Sequence, residues 1–302
     1  MKNTQNQPFT DPAPSAKTFM LVHGAWHGAW VWDEVAQQLR DQGHIVYTPT
    51  LTGLGDRAAE LSATISLDTF IEDIETAILH PQTAPALAGS STDFNDSCNN
   101  ATAPEQDSPG PGAAISGALA NTCEPGAGEA LANVILVGHS FAGLIISGVA
   151  DRIADRLDRL IYLDAFVLPS GQSTFATLPD KVVNALTASA QAHHGYGIPA
   201  PDPIHLGIPA DTEQYTFARG KLTPHPINTY ASALSLNAPL GAGVKKIYLA
   251  CTTPPYKPVV ASHDWVKDQP DWVWAELNSS HSAPLLAPNM VAEKLLALSS
   301  LR

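Results

Sequence analysis

The stretch NVILVGHSFAGL, residues 133–144, reads as a buried strand that runs into a serine and leaves it as a helix. Val134, Ile135, Leu136 and Val137 are apolar without alternation, as in a strand covered on both faces. Gly138-His139-Ser140-Phe141-Ala142-Gly143 follows, with small residues where a sharp turn presses backbone against backbone. Such a strand-to-helix turn lifts a serine hydroxyl to the top of a sheet, which is the geometry of an activated nucleophile. The strict G-x-S-x-G pattern has glycine at position 142; here Ala142 stands there and Gly143 follows. Turn glycines alone need no chemistry, but the strand before and the helix after make Ser140 the candidate nucleophile.

Outward from this turn, strands and helices alternate. TFMLVHG (18–24) is a buried strand, VWDEVAQQLRDQGH (31–44) a helix with Gly43 in its C-cap region, and IVYTPTL (45–51) a second strand. SLDTFIEDIETAIL (66–79) puts Leu67, Phe70, Ile71, Ile74 and Ile78 on one helical face, with Ser66 as N-cap. After Ser140 come a helix from about Phe141 to Leu157, the strand RLIYLDAF (159–166), the strands KKIYLAC (245–251) and WVWAEL (272–277), and a last helix opened by Pro288. This order predicts an α/β fold: a doubly wound, mostly parallel sheet with helices on both faces.

Two segments interrupt the rhythm. Residues 82–131 have neither helical nor strand period and carry six acidic residues with no Lys or Arg, so they read as an irregular surface insertion. Residues 168–240, between two core strands, hold aromatics, histidines, prolines and weak helical stretches, the composition expected of a lid. The core is then 18–167 together with 241–302, behind a polar tail of residues 1–17.

The 302 residues carry a net charge of −13, which opposes phosphate backbones and anionic lipid. Nucleic acid and membrane are therefore excluded as expected partners, and no apolar run approaches the ~20 residues that span a bilayer. The tail lacks the apolar stretch of a signal peptide, so a cytoplasmic location is expected. The three cysteines fit no metal spacing. Cys251 reads as a small buried hydrophobe, while Cys98 and Cys123 share the insertion and could bond only outside a reducing compartment. No metal and no organic cofactor is expected.

A nucleophilic serine needs an oxyanion hole and a base. One oxyanion N–H comes from the residue after the nucleophile, Phe141; the loop His23-Gly24-Ala25 after the first strand supplies the second, on Ala25. Of the 11 histidines, only His281 in WVWAELNSSHSAPLLAP follows the last strand, where the base belongs. His139 neighbours the serine but points elsewhere in such a turn. Asp164 is the remaining puzzle, since a carboxylate at the end of a buried apolar strand is costly unless paired.

The segments FMLVHGAWHGAWVWDEVAQQL, VILVGHSFAGL, YLDAFVLP, IYLACT and HSAPLLAP resemble the plant methylesterase and hydroxynitrile lyase family of α/β-hydrolases and its bacterial esterase relatives. The likeness covers residues 18–80 and 133–302. It implies a catalytic aspartate just after IYLACT, but this chain continues Thr252-Thr253-Pro254-Pro255, with Pro254 about where the acid should be. Asp164, at the end of the preceding core strand, keeps the order nucleophile, acid, base and can reach the same histidine. The alternative is an acid drawn from Asp264, Asp268 or Asp271, with Asp164 only capping the start of the lid.

The expected function is hydrolysis of small, mainly apolar carboxylic esters through an acyl-enzyme on Ser140. The expected substrate contacts are His23, Trp26, Phe166, Tyr196 and Phe217, with Phe175 and Tyr215 as further lid aromatics. A small-molecule ester is the expected partner, and homodimerisation is left open. A cyanohydrin lyase of the same fold is disfavoured, because the resemblance implies a lysine directly after the catalytic histidine and Ser282 stands there. A non-catalytic small-molecule receptor is the third reading.

Overall fold

A computed structural model describes residues 16–84, 87 and 129–301. Most of the polar tail and of the 82–131 segment, with Cys98 and Cys123, lies outside the described residues. The strands are β1 (Thr18–Val22), β2 (Ile45–Tyr47), β3 (Val134–His139), β4 (Leu157–Leu163), β5 (Gly197–Ile198), β6 (His225–Pro226), β7 (Lys245–Cys251) and β8 (Trp272–Leu277). The helices are α1 (Asp33–Asp41), α2 (Leu67–Leu79), α3 (Ala142–Ile153), α4 (Asp180–Ala192), α5 (Glu213–Lys221), α6 (Ile227–Ala231), α7 (Val260–Lys267), α8 (Ala283–Leu286) and α9 (Pro288–Ser299).

Six strands form one sheet in the order β2-β1-β3-β4-β7-β8, every neighbouring pair parallel. The strand residues divide by parity between two apolar layers. Met20, Val22, Leu136, Leu160, Tyr162 and Tyr248 face α2 and α3, joining Phe70, Ile74, Leu144 and Val149. Phe19, Leu21, Ile135, Val137, Ile161 and Leu249 face α1 and α9, joining Val35, Leu39, Val291 and Leu295. Covering on both faces is why these strands are apolar throughout, and why they carry no two-residue alternation. Cys251 belongs to the second layer and is fully buried.

Several element ends differ from the sequence expectation, the largest differences being at β2 and α3. β2 stops at Tyr47 instead of running to Leu51, because Pro49 has no N–H to pair and the following polar groups find side chains. Thr50 Oγ1 accepts from Ala29 N, Leu51 N donates to His23 Nε2, and Thr52 N donates to Asp73. α3 ends at Ile153; a 3-10 turn over Ala154–Arg156 leads into β4, which begins at Leu157. At α2 the Ser66 cap is present as a full capping box with Thr69.

Between β4 and β7 the chain forms α4, α5, α6 and a two-stranded antiparallel pair of β5 with β6 over the carboxyl ends of the core strands. Among the described residues no helix is long and apolar enough to cross a membrane.

Candidate active site

β3 delivers Ser140 at φ 56°, a left-handed backbone state that costs a non-glycine residue free energy. The turn is held on three sides. Ser140 N donates to Leu163 O at 3.2 Å, while the Ser140 carbonyl accepts from Phe166 N at 2.9 Å and from Gly143 N at 3.2 Å. Two glycines are required by space. A Cβ on Gly138 would stand 2.8 Å from Ala142 O, and one on Gly143 only 2.1 Å from Phe166 O. Position 142 itself has room for a methyl, which is why Ala142 replaces the glycine of the strict pattern.

His281 sits in the loop after β8. Its Nε2 is 3.0 Å from Ser140 Oγ, and its Nδ1 is 2.6 Å from Asp164 Oδ2. Asp164 is wholly buried just past the end of β4, at φ 44°, with its own N donating to Leu249 O at 2.8 Å. Burial pushes the Asp164 carboxyl up, but hydrogen bonds from His263 and His281 outweigh it and hold the group well below the usual carboxylate range. An ionised Asp164 requires the proton of neutral His281 to lie on Nδ1, leaving the Nε2 lone pair toward the serine hydroxyl. Asp264, Asp268 and Asp271 are surface residues, and Asp271 pairs with Lys246 at 2.7 Å. None of the three contacts His281.

The loop after β1 passes directly beneath the serine: a Cβ on Gly24 would meet Ser140 Cβ at 2.8 Å and His139 O at 3.1 Å. This close approach sets the Ala25 amide beside the nucleophile. Neither Ala25 N nor Phe141 N has an acceptor among the described residues, so both donors are free to meet a developing oxyanion.

Around the serine the walls are aromatic. Tyr230 stacks on Phe141 at 5.1 Å and meets Trp26 and Phe175, while Tyr256 stacks on His281 at 3.8 Å. A cavity of about 340 Å³ opens beside His281, between Tyr256, Pro254, Lys257, Ile204 and Gly207. Phe166, nearly buried, lines a second space of about 320 Å³ with Leu168 and Trp265.

The expected substrate contacts divide accordingly. Trp26 meets Tyr230 at the site, its indole N–H donating to Ile198 O. His23 is fully buried and holds its loop, with Nδ1 2.9 Å from Gly24 O and Nε2 accepting from Leu51 N at 3.1 Å. Burial lowers its pKa to about 3, so it stays neutral in that role. Phe217 packs edge-on against Trp30 and is 43% exposed, and Tyr196 pairs with His194, so neither makes a ring contact with the residues around Ser140. Tyr215 donates to Asp202 at the surface.

Several site residues carry no motif and escaped the sequence reading. Tyr230 comes from the five-residue helix α6 and Tyr256 from the turn after β7, both too short for periodicity to mark an aromatic. His139 places its Nε2 2.8 Å from His281 O, bracing the loop that carries His281. His263, on α7, places Nε2 2.8 Å from Asp164 Oδ1. Its one signal is a histidine in the buried stripe of a short helix.

Residues 19–294 match the model of the alpha/beta hydrolase family. The chain is 31% identical over 292 residues to the carbendazim hydrolyzing esterase of Nocardioides sp. (strain SG-4G), covering 93% of this chain and 98% of that protein. It is 23% identical over 284 residues to methylesterase 7 of Arabidopsis thaliana, covering 90% and 91%. Among solved structures, an extracellular alpha/beta-hydrolase from a Paenibacillus species superposes with a TM-score of 0.65 at 23% identity, over 94% of this chain and 98% of that one.

Proposed function

The chain belongs to the alpha/beta hydrolase family, and from that membership we propose that it is a serine carboxylesterase acting on small, mainly apolar esters. The observation that carries the reading is the continuous path from Ser140 Oγ to His281 Nε2 at 3.0 Å and from His281 Nδ1 to Asp164 Oδ2 at 2.6 Å.

Ser140 Oγ attacks the ester carbonyl carbon while His281 Nε2 takes the hydroxyl proton. Charge gathers on the former carbonyl oxygen, where the N–H groups of Ala25 and Phe141 stabilise it. Collapse breaks the bond to the alkoxy oxygen, and His281 returns its proton to the leaving alcohol. Water, deprotonated by the same histidine, then cleaves the acyl-enzyme and restores Ser140. Asp164 keeps the imidazole in the tautomer with Nδ1–H and stabilises the imidazolium in both halves. The partly exposed rings of Trp26, Phe175 and Tyr256 offer mostly apolar surface to the acyl and alcohol parts, which supports the apolar substrate class.

The esterase names of the relatives at 31% and 23% identity support the same reaction class. Ser282, which follows the base, donates its hydroxyl to Leu206 O at 2.7 Å and so turns away from a leaving group.

A fluorophosphonate probe tests the reading. A single adduct on Ser140 is expected by mass spectrometry, and Ser140→Ala is expected to abolish both the adduct and hydrolysis of p-nitrophenyl esters while retaining the wild-type melting temperature. An adduct on another serine, or turnover by Ser140→Ala, would overturn it.

A further inference from the structure

Asp164 is shared by two imidazoles. Among the described residues Oδ2 meets only His281 Nδ1, at 2.6 Å; Oδ1 accepts from His263 Nε2 at 2.8 Å and from Cys251 N at 3.1 Å. A carboxylate turns about its final torsion with a broad, two-fold preference, so the bonds on one oxygen decide the plane and direction of the other. His263 makes the shorter of the two bonds on Oδ1, 2.8 Å against 3.1 Å, and shorter charge-assisted bonds are the stronger ones.

His263 is itself held in place. It lies on the buried stripe of α7, edge-on to Tyr248 at 5.3 Å and to Trp274 at 5.7 Å. The neighbouring Ser262 Oγ accepts from Val167 N at 3.0 Å, so consecutive residues of α7 fasten the helix to the chain leaving β4, one at Asp164 and one at Val167. Two rings and one hydroxyl thus fix the angle at which the His263 N–H meets the carboxylate.

We propose that His263 is a positioning residue for hydrolysis, its Nε2–H locking the Asp164 carboxylate so that Oδ2 stays in line with His281 Nδ1. The proposal rests on the reading of Ser140, His281 and Asp164 as nucleophile, base and acid. It has an electrostatic consequence. A donor on Oδ1 draws charge away from Oδ2; removing it leaves more negative charge against His281 and raises the pH at which His281 becomes imidazolium. The titratable groups facing the pair are His281 across the carboxylate, Tyr256 and His139 packed on the His281 ring at 3.8 and 4.7 Å, the Tyr248 phenol and Cys251 thiol of β7, and Lys267 one turn along α7 over Trp274. Tyr248 and Cys251 are both pushed upward by burial and remain neutral through the working range.

The test compares His263→Phe, His263→Gln and His263→Asn with the wild-type full chain on a p-nitrophenyl ester. His263→Phe keeps a flat ring and removes the donor. It is expected to lower kcat about 10–100-fold, the range for a lost bond to a charged group, with KM within about threefold. The acid limb of kcat/KM is expected to move up by about half to one pH unit. In His263→Gln the side-chain amide reaches the place of Nε2, and kcat and the acid limb are expected to return toward wild type; the shorter side chain of His263→Asn cannot reach and gives no rescue. Should His263→Phe fail to fold, the contrast between the Gln and Asn variants decides alone. Wild-type kcat and acid limb in a donor-less variant, or a folded His263→Gln as impaired as His263→Asn, overturns the proposal. Ser140→Ala run in parallel separates the levels: turnover there removes the underlying triad, whereas an inactive Ser140→Ala beside unaffected His263 variants removes only this inference.

Discussion

At the scale of single residues, the site turns on a carboxylate in an unfavourable place. Asp164 is wholly buried and takes a left-handed backbone state, each a cost that the fold sustains only if the group is fully bonded. Three donors on its two oxygens meet that condition. Asp164→Asn is expected to preserve the fold but to present an amide where an anion fixed the imidazole tautomer, a change that costs about 10⁴ in turnover in the serine protease template. Asp264→Asn, Asp268→Asn and Asp271→Asn are expected to stay within about threefold of wild type, because exposed carboxylates contribute little. Steady-state kinetics on the four variants checks the set, and a large loss in one of the surface variants with none in Asp164→Asn would place the acid elsewhere. Ser140 and His281 were legible because a local pattern and chain order mark them. Asp164 was legible from the expense of its burial, and its other histidine was not, since partnership across 99 residues leaves no trace in spacing.

At the scale of elements, the sheet was readable strand by strand and its ends were not. Continuous apolar runs such as Val134–Val137 announce a strand covered on both faces, whereas β2 is cut short by side chains from α2 and the β1 loop that no local window contains. The turn between β3 and α3 shows how tightly the elements lock. Gly143 touches the chain leaving β4, and that chain cannot retreat because Phe166 N is bonded to Ser140 O. Gly143→Ala is therefore expected to destabilise by about 2–4 kcal/mol and to cost activity, since the methyl displaces the turn that carries Ser140. Gly220, in the last turn of α5, has nothing within 4 Å of a built Cβ. Gly220→Ala is expected to be neutral or to stabilise by up to about 1 kcal/mol. Urea midpoints at unchanged slope measure both, and equal midpoints for the two variants would refute the packing argument.

At the scale of the whole molecule, the aromatic and histidine-rich floor of the site makes the fold dependent on pH. His23, His27, His139 and His225 are almost completely buried, and burial is the main cause that lowers their pKa values, to about 3 for His23 and about 4 for His27 and well below the ordinary value for the other two. Neighbouring imidazoles add to the effect, with His281 acting on His27 and His139. In the unfolded chain each would bind a proton near pH 6.5. Between that pH and the folded values, the unfolded state therefore holds more protons than the folded one, and stability must rise with pH. The contribution is complete above about pH 6.5 and is lost as the pH falls toward 4. All four act in the same direction within the window, so stability falls steeply as the pH is lowered through it. Asp164 adds nothing there, because its depressed carboxyl takes up a proton only at still lower pH and carries the same sign. Melting temperatures between pH 7.5 and 4.5, converted to protons taken up on unfolding, should give a value near zero at pH 7.5 and three to four at pH 5. An uptake below one at pH 5 would show that these histidines are charged in the folded protein, and that the neutral floor beneath Ser140 does not exist.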